Sequence, residues 1–480
     1  MQTAPRVTPE CAPSPWLLAA QSRMGRVWLA AFAAAALYPG LGRVALLFAA
    51  AIALASFRPA WRRPILSAVA ILVCARNLSP KFTAGIGAPA NLPAWLTLAL
   101  LALWIAGLLA WTRFLARLPA WMGRHAIPLM HAKAFVLIAC LWLLRGRGVL
   151  TGAAAAAMCL LVPELLWRST YWIKWRARQP GPVAIWNNLF AALPFLGAGG
   201  VPLGKGPAFL GKHEALGAAQ LAAAQLEGAK LLALALVWRV SDGVLSAVVL
   251  SQKSAWVPAW AYPAHPWLPT MSNLLQIPGF FPLWQRWAGL YVELFHAILV
   301  LAIFSHTLVG ILCLSGFHVP RNIRSPLLAT TILDFWGRYY FYFKELLMDF
   351  WFFPVFLRTA RLPVFWRTML ATVSAAFLGN IYYHLVLYWP SMARGETAPF
   401  QAAMSARVIY CAFLAAALCV SFARTLGRKT PAGPPGFPRR LFRILLVSSF
   451  FALIHVWNFT GVPVLVYQRA RLWRALLPWW

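Results

Sequence analysis

Acidic side chains are scarce in this sequence, with 10 Asp and Glu against 43 Lys and Arg over 480 residues. Charged residues make up 11% of the chain and hydrophobic ones 61%, where a soluble domain carries about 25% and about 45 to 50%. That shortage of charge argues against a soluble globule. Length alone suggests about three domains, but a polytopic helical bundle absorbs such a length in one body. A single membrane domain over 27–480 is therefore expected, preceded by an extramembrane segment at 1–26.

The missing acids leave a formal net charge of +33, which by itself would raise nucleic acid as a partner. The distribution of the charge speaks against it. Arg58, Arg62 and Arg63, and then Arg168, Lys174, Arg176 and Arg178, sit between apolar runs. Cytoplasmic loops hold a membrane protein against anionic lipid in this way. Membrane lipid is the expected partner, and nucleic acid is not.

Cysteine is also sparse. Six of the seven, Cys74, Cys140, Cys159, Cys313, Cys411 and Cys419, lie in apolar stretches, Cys11 lies outside them, and no C-x-x-C spacing occurs. They read as small core residues, not as metal or redox ligands. The first 26 residues lack a charged segment leading into a short apolar stretch and a small-residue cleavage site. No removable signal peptide is expected, and the first spanning helix should serve for insertion.

Apolar runs are plentiful instead. Those at 27–56, 92–111, 148–167, 230–250, 288–316, 368–389, 404–423 and 441–467 approach the length needed to cross a ~30 Å hydrocarbon core. Shorter ones at 64–75, 133–145 and 183–199 suit tilted, broken or re-entrant helices. The expectation is an all-α, polytopic integral membrane protein with roughly ten or eleven transmembrane helices plus short re-entrant or interfacial ones. Arg424, Arg428, Lys429, Arg439, Arg440 and Arg443 mark a cytoplasmic loop, so the loop at Pro390–Pro399 should be extracytoplasmic. The Pro- and Trp-rich stretch from Ser254 to Trp287 suits an irregular interfacial loop, and 214–229 reads as an Ala-rich helix leading into the next span.

Several polar patterns have plain structural explanations. Gly206, Gly211 and Lys212 fit G-x-x-x-x-G-K, but His213 follows where Mg²⁺ binding calls for Ser or Thr, and no strand pattern precedes it. Glu293 and His296 share a helical face, with His306 further along. With no second E-x-x-H they are expected to bond each other or a neighbouring helix, and no metal site is predicted. His455 and Asn458 suit a buried pair that stitches helices.

The region from Gly316 to His384 is more informative. It contains Gly316, Phe317, Pro320, Asn322, Arg324 and Pro326, then Leu328, Ala329, Ile332, Asp334, Phe335, Trp336 and Arg338, and later Phe377, Leu378 and His384. In order and spacing this resembles the membrane-bound O-acyltransferase family, above all its bacterial branch that acylates extracytoplasmic glycans. The motif-bearing resemblance covers about 70 residues. Family members carry G-F-x-x-P-x-N-x-R-x-P, then S-I-x-D-F-W-x-R-W-H, then a histidine ending F-x-x-G-L-W-H-G. Here Tyr339 and Tyr340 stand where the family has Trp-His, and Tyr382 and Tyr383 replace the later Leu-Trp.

The resemblance implies an O-acyltransferase of the cell (inner) membrane. It would take an acyl group, most simply acetyl from acetyl-CoA as co-substrate with no bound cofactor, to a hydroxyl of a glycan or lipid-linked sugar. A secreted or periplasmic acyltransferase is conceivable as a partner. His384 is the candidate general base, since a neutral imidazole can take the hydroxyl proton. It lies ~24 Å along its helix from Thr368, at ~1.5 Å per residue, in the outer half of the membrane. Asn380, four residues earlier, shares its face and could orient the ring or bind the acceptor. Tyr340 holds the first histidine's place and could donate a hydrogen bond to a developing oxyanion. Asp334 and Arg338 are spaced for an ion pair and, with Trp336, are assigned to the donor entrance. Arg321, Arg324, Arg338 and Lys344 are the cations expected to meet CoA phosphates. Glu345 and Asp349 read as an interfacial face. Two rivals remain: a transporter or channel using Glu164, Asp242, Glu293 and His296, and a non-catalytic scaffold of the same fold.

Overall fold

The computed structural model describes residues 14–85, 125–144, 205–252, 265–393, 397–426, 436–459 and 464–477, with scattered positions between 106 and 263. The runs expected at 92–111, 148–167 and 183–199 lie almost wholly outside the described residues, as do Cys11, Cys159, Glu164, Arg176, Arg178, Arg428 and Lys429. Among the described residues the chain is helical without a strand, and the one extended pairing is an antiparallel bridge between Glu214 and Phe317.

Six described helices are long and apolar enough to cross a membrane: Arg23–Leu41, Ala218–Val249, Leu283–Leu314, Val364–Tyr388, Phe400–Leu426 and Phe437–Asn458. The protein is a helical membrane protein. Six spans are thus described, against the ten or eleven expected for the whole chain.

Several boundaries differ from the pattern in the sequence. The run at 27–56 divides into Arg23–Leu41 and Val44–Phe57. Between them Gly42 takes a left-handed φ of 56° and its N–H bonds back to the Tyr38 carbonyl at 2.8 Å, a conformation glycine adopts without steric cost. The short run at 64–75 sits inside a longer helix, Arg62–Gly85, and the one at 133–145 belongs, as far as Leu144, to the helix Ala126–Leu144. The Pro- and Trp-rich stretch is irregular only in part: Met271–Gln276 is a helix capped by the Thr270 hydroxyl, and the long helix begins at Leu283. The loop expected at Pro390–Pro399 is mostly helix, since one helix continues to Ala393 and the next starts at Thr397.

The chain forms two compact units, Met1–Leu236 with Phe304–Arg321, and Val237–Ile303 with Asn322–Trp480. In the first, a Cβ on Gly228 would lie 2.7 Å from the Leu314 nitrogen, and one on Gly310 would lie 2.8 Å from the Leu232 side chain. These glycines let two helices approach at backbone distance, as small residues do in membrane bundles. Gln225 reinforces the contact by donating to the Ser56 hydroxyl and the Leu314 carbonyl.

The same unit explains the first glycine of the motif region. Arg62 is buried and donates to the carbonyls of Ala215 and Gly316, while Arg63 meets Glu214 at 2.6 Å. Gly316 has a φ of 93°, and a Cβ there would fall 2.6 Å from the Arg62 guanidinium carbon. The G-x-x-x-x-G-K segment forms a seven-residue helix, Gly206–Lys212, which is unlike a phosphate-binding loop.

The second unit holds a large apolar core that includes Leu290, Leu294, Phe335, Leu414, Phe451 and Trp457. The Val364–Tyr388 span contains a wide π-turn at Ser374–Gly379, and a second such turn lies at Met348–Phe352. They pack together where Gly379 leaves room for Trp351, since a Cβ on Gly379 would lie 2.6 Å from that indole. Such turns shift the helical face presented by the residues beyond them.

Candidate functional site

Asp334, Trp336 and Arg338 occupy a short helix, Ile332–Tyr339. It starts where it does because the Thr331 hydroxyl accepts the Asp334 N–H at 3.0 Å, with a carboxylate in the first turn and a guanidinium in the last. Arg338 Nε donates to the Asp334 carboxylate at 2.7 Å, so the pair implied by the spacing is formed.

Asn322 and Arg324 fasten the preceding block to this helix and its successor. The Asn322 side-chain oxygen accepts from the Tyr342 N–H at 3.0 Å, its carbonyl accepts from Phe341, and the Arg324 N–H donates to the Arg338 carbonyl at 2.9 Å. Asn322 is 2% exposed. Its role is therefore to satisfy backbone groups at a bend, which apolar packing cannot do.

Rings connect this bend to His384. Phe343 lies 6.2 Å from Trp336 and 5.6 Å from Tyr340 between ring centroids, and 4.5 Å from Tyr383. Tyr383 in turn stands edge-on to His384 at 5.8 Å. Residues far apart in sequence thus meet in one aromatic cluster. Tyr340 enters it as a ring neighbour of Phe343.

Asn380 and His384 share a helical face, as their spacing requires. Asn380 is 1% exposed. Its Oδ1 and the Nδ1 of His384 are both buried without a hydrogen-bond partner among the described residues, so the amide oxygen does not hold the ring through that nitrogen. The other flank of His384 stacks on Tyr388 at 6.4 Å, and Arg407 Nη2 donates to the Tyr388 hydroxyl at 3.2 Å.

Arg407 was not anticipated from the sequence. It is 7% exposed, and its Nε and Nη1 are buried without hydrogen-bond partners among the described residues. Its charge bears on His384, His455 and Tyr339. Burial pushes the Tyr339 phenol up to about 12, against the pull of Arg407. A second buried cation, Arg469, donates to the carbonyls of Val456 and Phe459. Burial and then the Arg407 charge bring Arg469 down to about 10. The available signal was an arginine inside the apolar run 404–423, since a charge in a membrane helix is costly unless it serves a polar cavity.

The other polar candidates are engaged. The Glu293 carboxylate accepts the Met271 N–H at 2.6 Å, and His296 Nδ1 lies 2.7 Å from the Asp242 carboxylate. Each therefore bonds a neighbouring element, and the two do not bond each other. Three of the four cations expected near a donor already face acids: Arg321 faces Glu227, Arg338 faces Asp334, and Lys344 lies 3.8 Å from Glu345. Among the described residues no group of three or more His, Cys, Asp or Glu could hold a metal ion.

Other cations line a cavity of about 590 Å³ that reaches Thr331 and Ile332 at the head of the Asp334 helix. Arg424, Arg439 and Arg443 stand around it beside Phe442 and Leu446. None of these three arginines has an acidic partner among the described residues.

No protein-family model matches the chain, and no curated protein matches it.

Proposed function

We propose that the protein is a membrane O-acyltransferase, moving an acyl group, most simply acetyl, from a cytoplasmic thioester to a hydroxyl of an extracytoplasmic glycan or lipid-linked sugar. The observation that supports this most is the pair of Asn380 and His384, whose Oδ1 and Nδ1 atoms are buried without partners among the described residues, joined through Tyr383 and Phe343 to Tyr340 and Trp336. Buried polar atoms normally have partners, and exceptions call for an explanation such as strain, an ordered water, a bound ligand or a chemical role.

In this proposal the His384 imidazole takes the proton of the acceptor hydroxyl as its oxygen attacks the thioester carbonyl. Negative charge gathers on the carbonyl oxygen, where the Tyr340 phenol donates a hydrogen bond. The carbon–sulfur bond then breaks, and the thiolate leaves with the proton that His384 had taken. The cavity walled by Arg424, Arg439 and Arg443 supplies cations for the phosphates of a CoA-type donor. The cell (inner) membrane is the proposed location.

Mass spectrometry of surface polysaccharide from cells with and without the protein tests the proposal. A difference of one acyl group per modified sugar supports it. Identical spectra would count against it and in favour of transport or a non-catalytic scaffold.

A further inference from the structure

We infer that Arg407 and its surroundings form a binding site for an oxyanion carried by the acceptor, a carboxylate on an acidic sugar or a phosphate on a lipid-linked one. Calling the ligand an acceptor rests on the acyltransferase proposal, but the anion site itself does not.

The argument begins with charge. Arg407 is 7% exposed and Arg469 is 2% exposed, on helices packed against each other in one unit. Each bears on the other electrostatically, as two like charges that repel. Neither meets a carboxylate among the described residues. Of the seven acids among the described residues, Glu214, Glu227, Asp242, Glu293, Asp334 and Glu345 engage other groups. Asp349 has an interaction of its own as well. A buried cation with no counter-charge is among the costliest arrangements a fold can hold.

Hydrogen bonding points the same way. Arg469 spends Nη1 and Nη2 on two carbonyls and leaves only Nε open, whereas Arg407 spends Nη2 on Tyr388 and leaves both Nε and Nη1 open among the described residues. A guanidinium carries five N–H donors and no acceptor, so only an acceptor-rich group completes it. Carboxylate and phosphate supply both the acceptors and the missing negative charge. Tyr388 stacks on His384, which places the anion site next to the proposed base. An acceptor held there by its charge would present a neighbouring hydroxyl to His384, and its charge would offset the imidazolium formed as the proton is taken.

The full-length chain in an uncharged detergent tests the site. Thermal unfolding would be followed with glucuronate, glucose 1-phosphate or glucose, for the wild type and for Arg407→Gln, Arg407→Lys and Arg358→Gln. Arg358 is an exposed cation at a helix end and serves as the charge-matched control. Glucuronate or glucose 1-phosphate should raise the wild-type midpoint in a saturable way, and glucose should not. Whichever anion acts identifies the source, carboxylate or phosphate. Arg407→Gln should raise the half-saturating concentration at least tenfold, Arg407→Lys less, and Arg358→Gln should behave as wild type. An equal response to glucose, no response to either anion, or an unchanged response in Arg407→Gln overturns the inference. Should Arg407→Gln fail to fold, the wild-type contrast between charged and neutral sugars and the Arg407→Lys shift still decide it. Because the assay involves no acyl transfer, anion binding can stand even if acylation is absent, and the reverse.

Discussion

Two charged regions of the second unit are built on opposite principles. In the motif segment from Asn322 to Glu345, Asp334 faces Arg338, Lys344 faces Glu345, and Asn322 satisfies the backbone at the bend. Around His384 and Arg407, polar atoms are more deeply buried than those ion pairs and left open among the described residues. The first arrangement is complete within the chain and accounts for shape. The second is incomplete among the described residues, and the proposed site lies there.

The contrast predicts opposite responses to substitution. The largest effect is expected at Arg407. Arg407→Met removes a buried charge that has no counter-charge among the described residues, so stability should rise, by about 1–4 kcal/mol if it follows the scale seen when a buried ion pair gives way to apolar side chains. Acylation should fall at the same time. A lower thermal midpoint in detergent would mean that Arg407 is an ordinary structural cation, and the contrast would fail.

Asn322→Ala should act in the other direction. It leaves the Tyr342 N–H buried without its acceptor, at a cost of about 1–3 kcal/mol, visible as an earlier unfolding midpoint. An unchanged midpoint would show that the bend does not depend on this side chain.

Asp334→Asn is expected to do least. Its ion pair with Arg338 is a third exposed on both sides, so about 0.2–1 kcal/mol is at stake. A loss of several kcal/mol would place this pair among the buried determinants of the fold.

Much of this was legible in the sequence where a local rule decides the outcome. Apolar length located the Leu283–Leu314, Val364–Tyr388 and Phe400–Leu426 spans within a few residues, because burial in lipid demands it, whereas the run at 441–467 overshot the helix that ends at Asn458. Spacing gave the Asp334–Arg338 pair, since four residues make one helical turn. The break at Gly42 was hidden, because an apolar run looks the same whether or not a left-handed residue interrupts it. So were the π-turn at Ser374–Gly379 and the neighbours of Arg407, because both depend on which helices pack together. The cations around the Thr331 cavity were seen as an orientation signal alone, since their convergence on the motif helix is a property of the fold.

The central claim, that the Asn380–His384 face performs acyl transfer, is tested most directly by glycan mass spectrometry on cells carrying His384→Ala at wild-type protein abundance. The acyl mass on the glycan should fall by a factor of about 10² or more, the usual weight of a general base. Wild-type acylation in that variant would contradict the account.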